Sequence, residues 1–218
     1  MGKAQLLIPI GLLLSSNLMA QTHIVPPAFR NIAELHNVPP TILYAVAMNE
    51  SSKRLTSNKV KPWPWTINVA GKSYFYRSQK EACNAFSQFS QKYSLKRIDI
   101  GIAQVNMGWN GHYFTNTCNG FNPYQNLQAA AQIVRSCYNK HQNWIKAAGC
   151  YHHPAGGKYA RKYIANFKKK LKKIKGISTQ SFYLDEGSSS YQDVAQVSSS
   201  KFKWIEPTDS GIVWVKPL

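Results

Sequence analysis

The chain has 218 residues, 44% hydrophobic and 12% aromatic, which is enough to bury a core. That apolar content, with only 17% charged residues, excludes a wholly disordered chain. The charge is lopsided, 27 Lys and Arg against 9 Asp and Glu for a formal net charge of +18, and calls for an anionic partner: nucleic acid, anionic lipid or an acidic cell-wall polymer.

Residues 1–20 read as an export signal. Lys3 is the basic start, Leu6 to Leu14 the apolar run, Ser15, Ser16 and Asn17 the polar exit, and Ala20 before Gln21 the cleavage point. The run is too short to span a bilayer, and no other stretch is a candidate span. Export predicts a periplasmic location. It also places Cys83, Cys118, Cys137 and Cys150 in an oxidising compartment, where four cysteines allow three pairings. Cys83–Cys118 with Cys137–Cys150 is the preferred one, since the second bond would tie two consecutive helical segments across a short connection.

Past Pro26-Pro27, the spacing of Phe29, Ile32, Ala33 and Leu35 predicts a helix that Asn37-Val38-Pro39-Pro40 breaks. Thr41 is placed to cap the next helix, with Leu43, Val46 and Ala47 on one face, ending near Glu50-Ser51-Ser52. Pro62-Trp63-Pro64 excludes a helix interior, and Trp65 to Tyr76 reads as a hairpin turning at Ala70-Gly71. Ser78 and Glu81 form a capping box ahead of the stripe Ala82, Phe86, Phe89, Tyr93. Asp99 to Met107 is a compact glycine-bearing segment. Asn126 precedes a helix marked by Leu127, Ala130, Ile133, Val134 and Cys137, and Trp144, Ile145 and Ala148 mark a short one. Tyr159, Tyr163, Phe167, Leu171 and Ile174 line a long helix, and Lys158 to Lys175 carries nine Lys and Arg. Ser188 to Ser190 and Ser198 to Ser200 flag a flexible tail over 177–218, in which Gly211 to Val215 suits a short strand. The fold class is therefore mainly α, in one domain over 21–176 with a small β-hairpin insert at about 62–77.

Only Glu34, Glu50, Glu81 and Asp99 are acidic before Asp185, which disfavours a carboxylate-built calcium or magnesium site. Helix capping explains Glu81, and helix or turn capping is the reading for Asp99. His152 and His153 are adjacent and His112 is far away in sequence, so no metal is expected.

Four segments carry the chemistry: Met48-Asn49-Glu50-Ser51-Ser52, Asp99 to Asn106, Asn122 to Leu127, and Gly149 to Gly157. In this order they resemble the lysozyme-like lytic transglycosylases of the soluble type, over about residues 28–175. That family pairs a Glu-Ser at a helix end with a Gly-Leu-Met-Gln-like turn, an Asn-Pro helix start and an Ala-Tyr-Asn-Ala-Gly-like stretch. Pro62-Trp63-Pro64-Trp65, Gly108 to His112 and Tyr151 to Gly157 look like a subgroup tied to integrating conjugative elements and type IV secretion. His152 departs from the Asn usual at its position.

The resemblance implies a lysozyme-like α+β fold and a peptidoglycan lytic transglycosylase that needs no cofactor. Glu50 would be the single catalytic acid and base. Ser51, Gln104, Asn106, Trp109, Tyr151, His152 and Tyr163 would bind substrate, with Gln104 contacting sugar or positioning Glu50 and the Tyr151 hydroxyl tuning it. A body this poor in carboxylates disfavours a two-carboxylate glycosidase. The implied partners are peptidoglycan strands and conjugation or secretion proteins. The basic helix suits peripheral membrane or anionic wall contact, and export leaves no nucleic acid expected. A lysozyme-type hydrolase and a non-catalytic wall-binding assembly factor are the alternatives, and a basic secreted nucleic-acid or membrane binder is a third class.

Overall fold

A computed structural model describes residues 23–175 and two short tail strands, 203–204 and 214–215. The predicted signal segment lies outside the described residues. So does the serine-rich tail, except that Trp214–Val215 pairs antiparallel with Lys203–Trp204 inside the segment read as a strand.

The described residues form seven α-helices and a small four-stranded sheet. The helices are α1 (Pro27–Leu35), α2 (Pro40–Glu50), α3 (Gln79–Lys92), α4 (Met107–Asn110), α5 (Pro123–His141), α6 (Trp144–His152) and α7 (Gly157–Leu171). The mainly α reading with a hairpin insert is correct. At the centre lies α2, with every residue from Pro40 to Met48 buried. A helix that is apolar on all sides has to sit inside the protein, and α1, α5, α6 and α7 pack around it. Phe29 of α1 meets Tyr44 of α2 edge to face at 4.9 Å. Thr41 does not cap α2: Pro39 is the N-cap, Pro40 takes the first helical position, and Thr41 is buried. A proline pair supplies the fixed φ that starts a helix without a side-chain cap.

Strands β1 (His23–Ile24) and β2 (Ser52–Arg54) flank the first two helices, and β3 (Val60–Pro62) pairs antiparallel with β2. This first hairpin has no period-two signature and was not expected from the sequence. The predicted hairpin is β4 (Thr66–Val69) and β5 (Lys72–Phe75), turning at Ala70-Gly71. With β6 (Ile98–Ile100) and β7 (Val105–Asn106) it makes an antiparallel sheet ordered β5-β4-β6-β7. Ile67, Val69, Ile98 and Ile100 are buried core residues. Ser78 caps α3 as expected, while the Glu81 carboxylate accepts from the Arg77 amide. The long basic helix stops at Leu171, and Ile174–Lys175 forms β8, parallel to β1.

Both predicted disulfides are present: Cys83–Cys118 joins α3 to the turn after α4, and Cys137–Cys150 joins α5 to α6. No described helix is long and apolar enough to cross a membrane.

Candidate active site

Glu50 is the last residue of α2, so the most buried helix of the fold delivers its carboxyl to the site. Only 13% of its side chain reaches solvent. Burial is the main force on the carboxyl and pushes it up to about 8; the nearby Tyr163 hydroxyl opposes the rise and the charge of Asp99 adds to it. The negative end of the α2 dipole likewise disfavours a carboxylate at this position. Glu50 is therefore mostly protonated at neutral pH.

Ser51 turns the chain away from the helix. Its hydroxyl donates to the Ile102 carbonyl at 2.5 Å and accepts from the Trp63 amide at 3.2 Å. One side chain thus ties the end of α2 both to the residue just past β3 and to the segment between β6 and β7. That segment, residues 101–104, is a tight turn with Gly101 at φ +82° and Gln104 at φ +53°. Any other residue at 101 would collide with its surroundings: a Cβ there would lie 2.2 Å from Asn126 Nδ2 and 2.6 Å from the Gly120 carbonyl.

Four consecutive carbonyls of this turn each accept a hydrogen bond from a different side chain. Ile100 takes Asn126 Nδ2 at 2.9 Å, Gly101 takes Gln104 Nε2 at 2.9 Å, Ile102 takes Ser51, and Ala103 takes the Tyr151 hydroxyl at 2.7 Å. The four donors come from the four segments that carried the resemblance. Gln104 also donates to the Thr66 carbonyl at 3.0 Å. Its amide nitrogen is committed to the sheet, which leaves its oxygen for other contacts. Tyr151 is close enough for Glu50 and Asp99 to help hold its hydroxyl protonated, but burial is the larger cause.

Asn126 is fully buried and satisfied, accepting from the Ala103 amide and donating to the Ile100 and Gly120 carbonyls. The sequence reading placed it just ahead of a helix. Instead Asn122 is the N-cap of α5, and Asn126 lies in its first turn, reaching back to the 101–104 turn. Nothing in the local sequence announces a partner 23 residues away. Asp99 also corrects the expectation, because it caps no turn. It sits in β6, accepts from Asn106 Nδ2 at 2.8 Å, and burial raises its carboxyl. Asn106 itself caps α4 and donates to the Lys96 carbonyl.

From the far side come α6 and α7. His152 places Nδ1 3.8 Å from Glu50 Oε1, beyond hydrogen-bond reach, and stacks on Tyr163 at 4.4 Å with rings 12° apart. Burial, then the neighbouring His153, lowers its affinity for a proton. With Glu50 raised and His152 lowered, both are neutral at pH 7, so the pair is not a salt bridge. Tyr163 is buried and its hydroxyl faces Glu50; neither that oxygen nor Glu50 Oε1 has a well-formed hydrogen bond. Gly156 and Gly157, both at φ +74°, turn the chain from α6 into α7 and so set Tyr163 opposite Glu50.

Trp109 stands apart, 65% exposed with Lys96 Nζ 4.2 Å from its ring centre. The geometry therefore gathers Glu50, Ser51, Gln104, Tyr151, His152 and Tyr163 around one turn and one carboxyl, with Asn106 one step behind through Asp99.

A neutral buried carboxyl with a solvent opening can donate a proton to a leaving oxygen and take one back. No group of three or more His, Cys, Asp or Glu among the described residues is arranged to hold a metal. No curated relative and no solved structure matches the chain. The family model described as "Transglycosylase SLT domain" matches residues 27–175, well over half of the 218 residues and the whole of α1 to α7. The chain belongs to that family, and its general activity is lytic cleavage of peptidoglycan.

Proposed function

We propose that the protein cleaves the β-1,4 bond between N-acetylmuramic acid and N-acetylglucosamine and leaves a 1,6-anhydro end. Glu50 donates its proton to the glycosidic oxygen as the bond breaks. The resulting carboxylate takes the proton of the muramoyl C6 hydroxyl, which attacks the anomeric carbon and closes the anhydro ring. The protein then ends the cycle as it began, with Glu50 protonated, and water is not consumed. The observation that carries this reading is the burial that lifts Glu50 to about 8, so that the acid form is populated at neutral pH. The Tyr163 hydroxyl faces the same carboxyl and is suited to steady the transient carboxylate.

In this reading Ser51, Asn106 and Tyr151 act mainly by holding the cleft wall, Gln104 offers its amide oxygen, His152 roofs the acid, and Trp109 offers an exposed ring to a sugar. The basic face of α7 attracts the anionic wall or lipid headgroups. Both cysteine pairs are bonded, which supports export to the periplasm through residues 1–20. Opening of the wall for a conjugation or secretion apparatus rests on the motif resemblance alone.

A lysozyme-type hydrolysis is the second reading, favoured by Asp99, a second carboxyl close enough to act on Glu50. A muropeptide digest decides. Anhydro ends from the wild type and none from Glu50→Gln are expected, whereas reducing ends would establish the hydrolase. Equal product release from a folded Glu50→Gln protein would overturn the assignment of the acid.

A further inference from the structure

The last turn of α6 presents two consecutive residues to the site. Tyr151 latches the 101–104 turn through Ala103, and His152 lies over Tyr163 beside Glu50. The residues just before them are Ala147, Ala148 and Gly149, too small to anchor a helix end by their own bulk. Gly149 is small because Ile164 of α7 needs the room: a Cβ at 149 would lie 2.6 Å from Ile164 Cδ1.

What grips this turn from the other side is Cys150, bonded to Cys137 of α5. Cys137, Ala147 and Cys150 form a small buried cluster of their own, separate from the main core, with Tyr138 and Trp144 packed on it. Tyr138 and Trp144 stack at 3.9 Å with rings 18° apart, and Arg135 lies 5.2 Å and 5.9 Å from the two ring centres. The outer flank of α6 is thus held by this satellite.

We infer that the Cys137–Cys150 disulfide is a positioning element of the catalytic site, fixing the last turn of α6 so that Tyr151 holds the 101–104 turn and His152 covers Glu50. The functional part of the inference rests on Glu50 being the acid. The groups facing Glu50 are Tyr151 and His152 from α6, Tyr163 from α7 and Asp99 from β6. Two of these four depend on where α6 ends. Releasing that end admits water to the carboxyl, which then titrates closer to an ordinary glutamate.

The other disulfide is an internal control. Cys83–Cys118 closes 35 residues against 13 for Cys137–Cys150, so its loss costs at least as much stability by the chain-entropy account. Neither of its cysteines is next in sequence to a residue gathered around Glu50.

The test compares Cys137→Ala/Cys150→Ala, Cys83→Ala/Cys118→Ala and wild type, each at a temperature where circular dichroism finds it folded. Turnover on purified peptidoglycan is measured against pH, and Glu50 is titrated by carboxyl NMR without substrate. The first pair should lose about ten- to a hundredfold in kcat, as expected for a slightly displaced site. Its Glu50 titration and alkaline limb should move down by about one pH unit or more. The second pair should match wild type in both. Unchanged Glu50 titration in the first pair, or equal changes in both pairs, overturns the inference. A wild type that releases no product at all refutes the enzymatic reading, and the NMR titration still decides the positioning role. If the first pair does not fold, Cys137→Val/Cys150→Val, which refills the buried cluster with apolar side chains but forms no bond, should shift the titration in the same direction. No shift there overturns the inference equally.

Discussion

Replacing Glu50 by Gln separates two consequences of a single burial. Gln keeps the shape and removes the titrating proton. Wild-type Glu50 titrates at about 8 in the fold against 4.5 for a free glutamate side chain. The native state therefore keeps a proton that the unfolded chain gives up, and stability falls as pH rises between those two values. Below about pH 4.5 both states are protonated and the penalty vanishes. At pH 7 it is about 3 kcal/mol, and above pH 8 it levels off near about 5 kcal/mol. Glu50→Gln carries none of it. Its melting temperature at pH 7 should exceed wild type by roughly 6–12 °C for a domain of this size, while its turnover should drop about 10²–10⁴-fold. Melts by circular dichroism from pH 4 to pH 9, beside the muropeptide assay, measure both. The wild-type alkaline limb should fall near pH 8. Equal melting temperatures across the whole range would mean that Glu50 is not desolvated, and the acid role would lose its physical basis even if the variant were inactive.

Tyr151→Phe removes the donor to Ala103, so it should cost about 1 kcal/mol in a thermal melt and lower kcat on purified peptidoglycan without weakening sedimentation with isolated wall. Asn126→Ala removes three buried hydrogen bonds, to the Ala103 amide and the Ile100 and Gly120 carbonyls; at about 1 kcal/mol or more for each, denaturant melts should register about 3 kcal/mol lost. Lys168, Lys169 and Lys170 lie in the last turn of α7. Replacing all three with Gln should weaken sedimentation with wall at low salt, and the difference should close as salt screens it over a Debye length of about 8 Å at 0.15 M. Cleavage of a short soluble glycan by that variant should stay near wild type.

Features governed by neighbouring residues were legible in the sequence. The end of α2 at Glu50, the Ser78 cap and the turn at Ala70-Gly71 each follow from residues within a few positions, and the tie between the consecutive helices α5 and α6 spans 13. The missed features are those decided by packing and strand pairing rather than by the residue's own type. Thr41 looked like a cap because its hydroxyl suits one, but the proline pair already starts the helix and the side chain is drawn into the core. Asp99 lies two residues before Gly101 and so resembles a turn residue, yet strand pairing with Asn106 places it in the sheet. Ser51, Gln104 and Tyr151 were identified as site residues. Their acceptors are backbone carbonyls, up to 51 residues away for Ser51 and 48 for Tyr151, and a carbonyl carries no sequence signature.

This last point changes what the motif residues are for. A lone acid works only if its surroundings stay dry and polar groups in the wall do not compete for its proton. A tight turn running beside Glu50 exposes carbonyls that would otherwise draw water into the cleft. Ser51, Gln104, Asn126 and Tyr151 occupy four of them in succession. What remains open next to the acid is Glu50 Oε1 and the Tyr163 hydroxyl, both buried and without a well-formed hydrogen bond. Such unpaired groups are costly in a folded protein and are tolerated where a substrate will use them. The +18 charge fits the same division of labour. Burial, then the Tyr163 hydroxyl and the charge of Asp99, set the proton affinity of Glu50. Had a lysine or arginine stood beside it, the carboxyl would be pulled back toward its ordinary range and the acid form lost at neutral pH. The proposed attraction to an anionic wall and the proposed protonation of the glycosidic oxygen are compatible in one small domain because burial is the main force on α2's last residue.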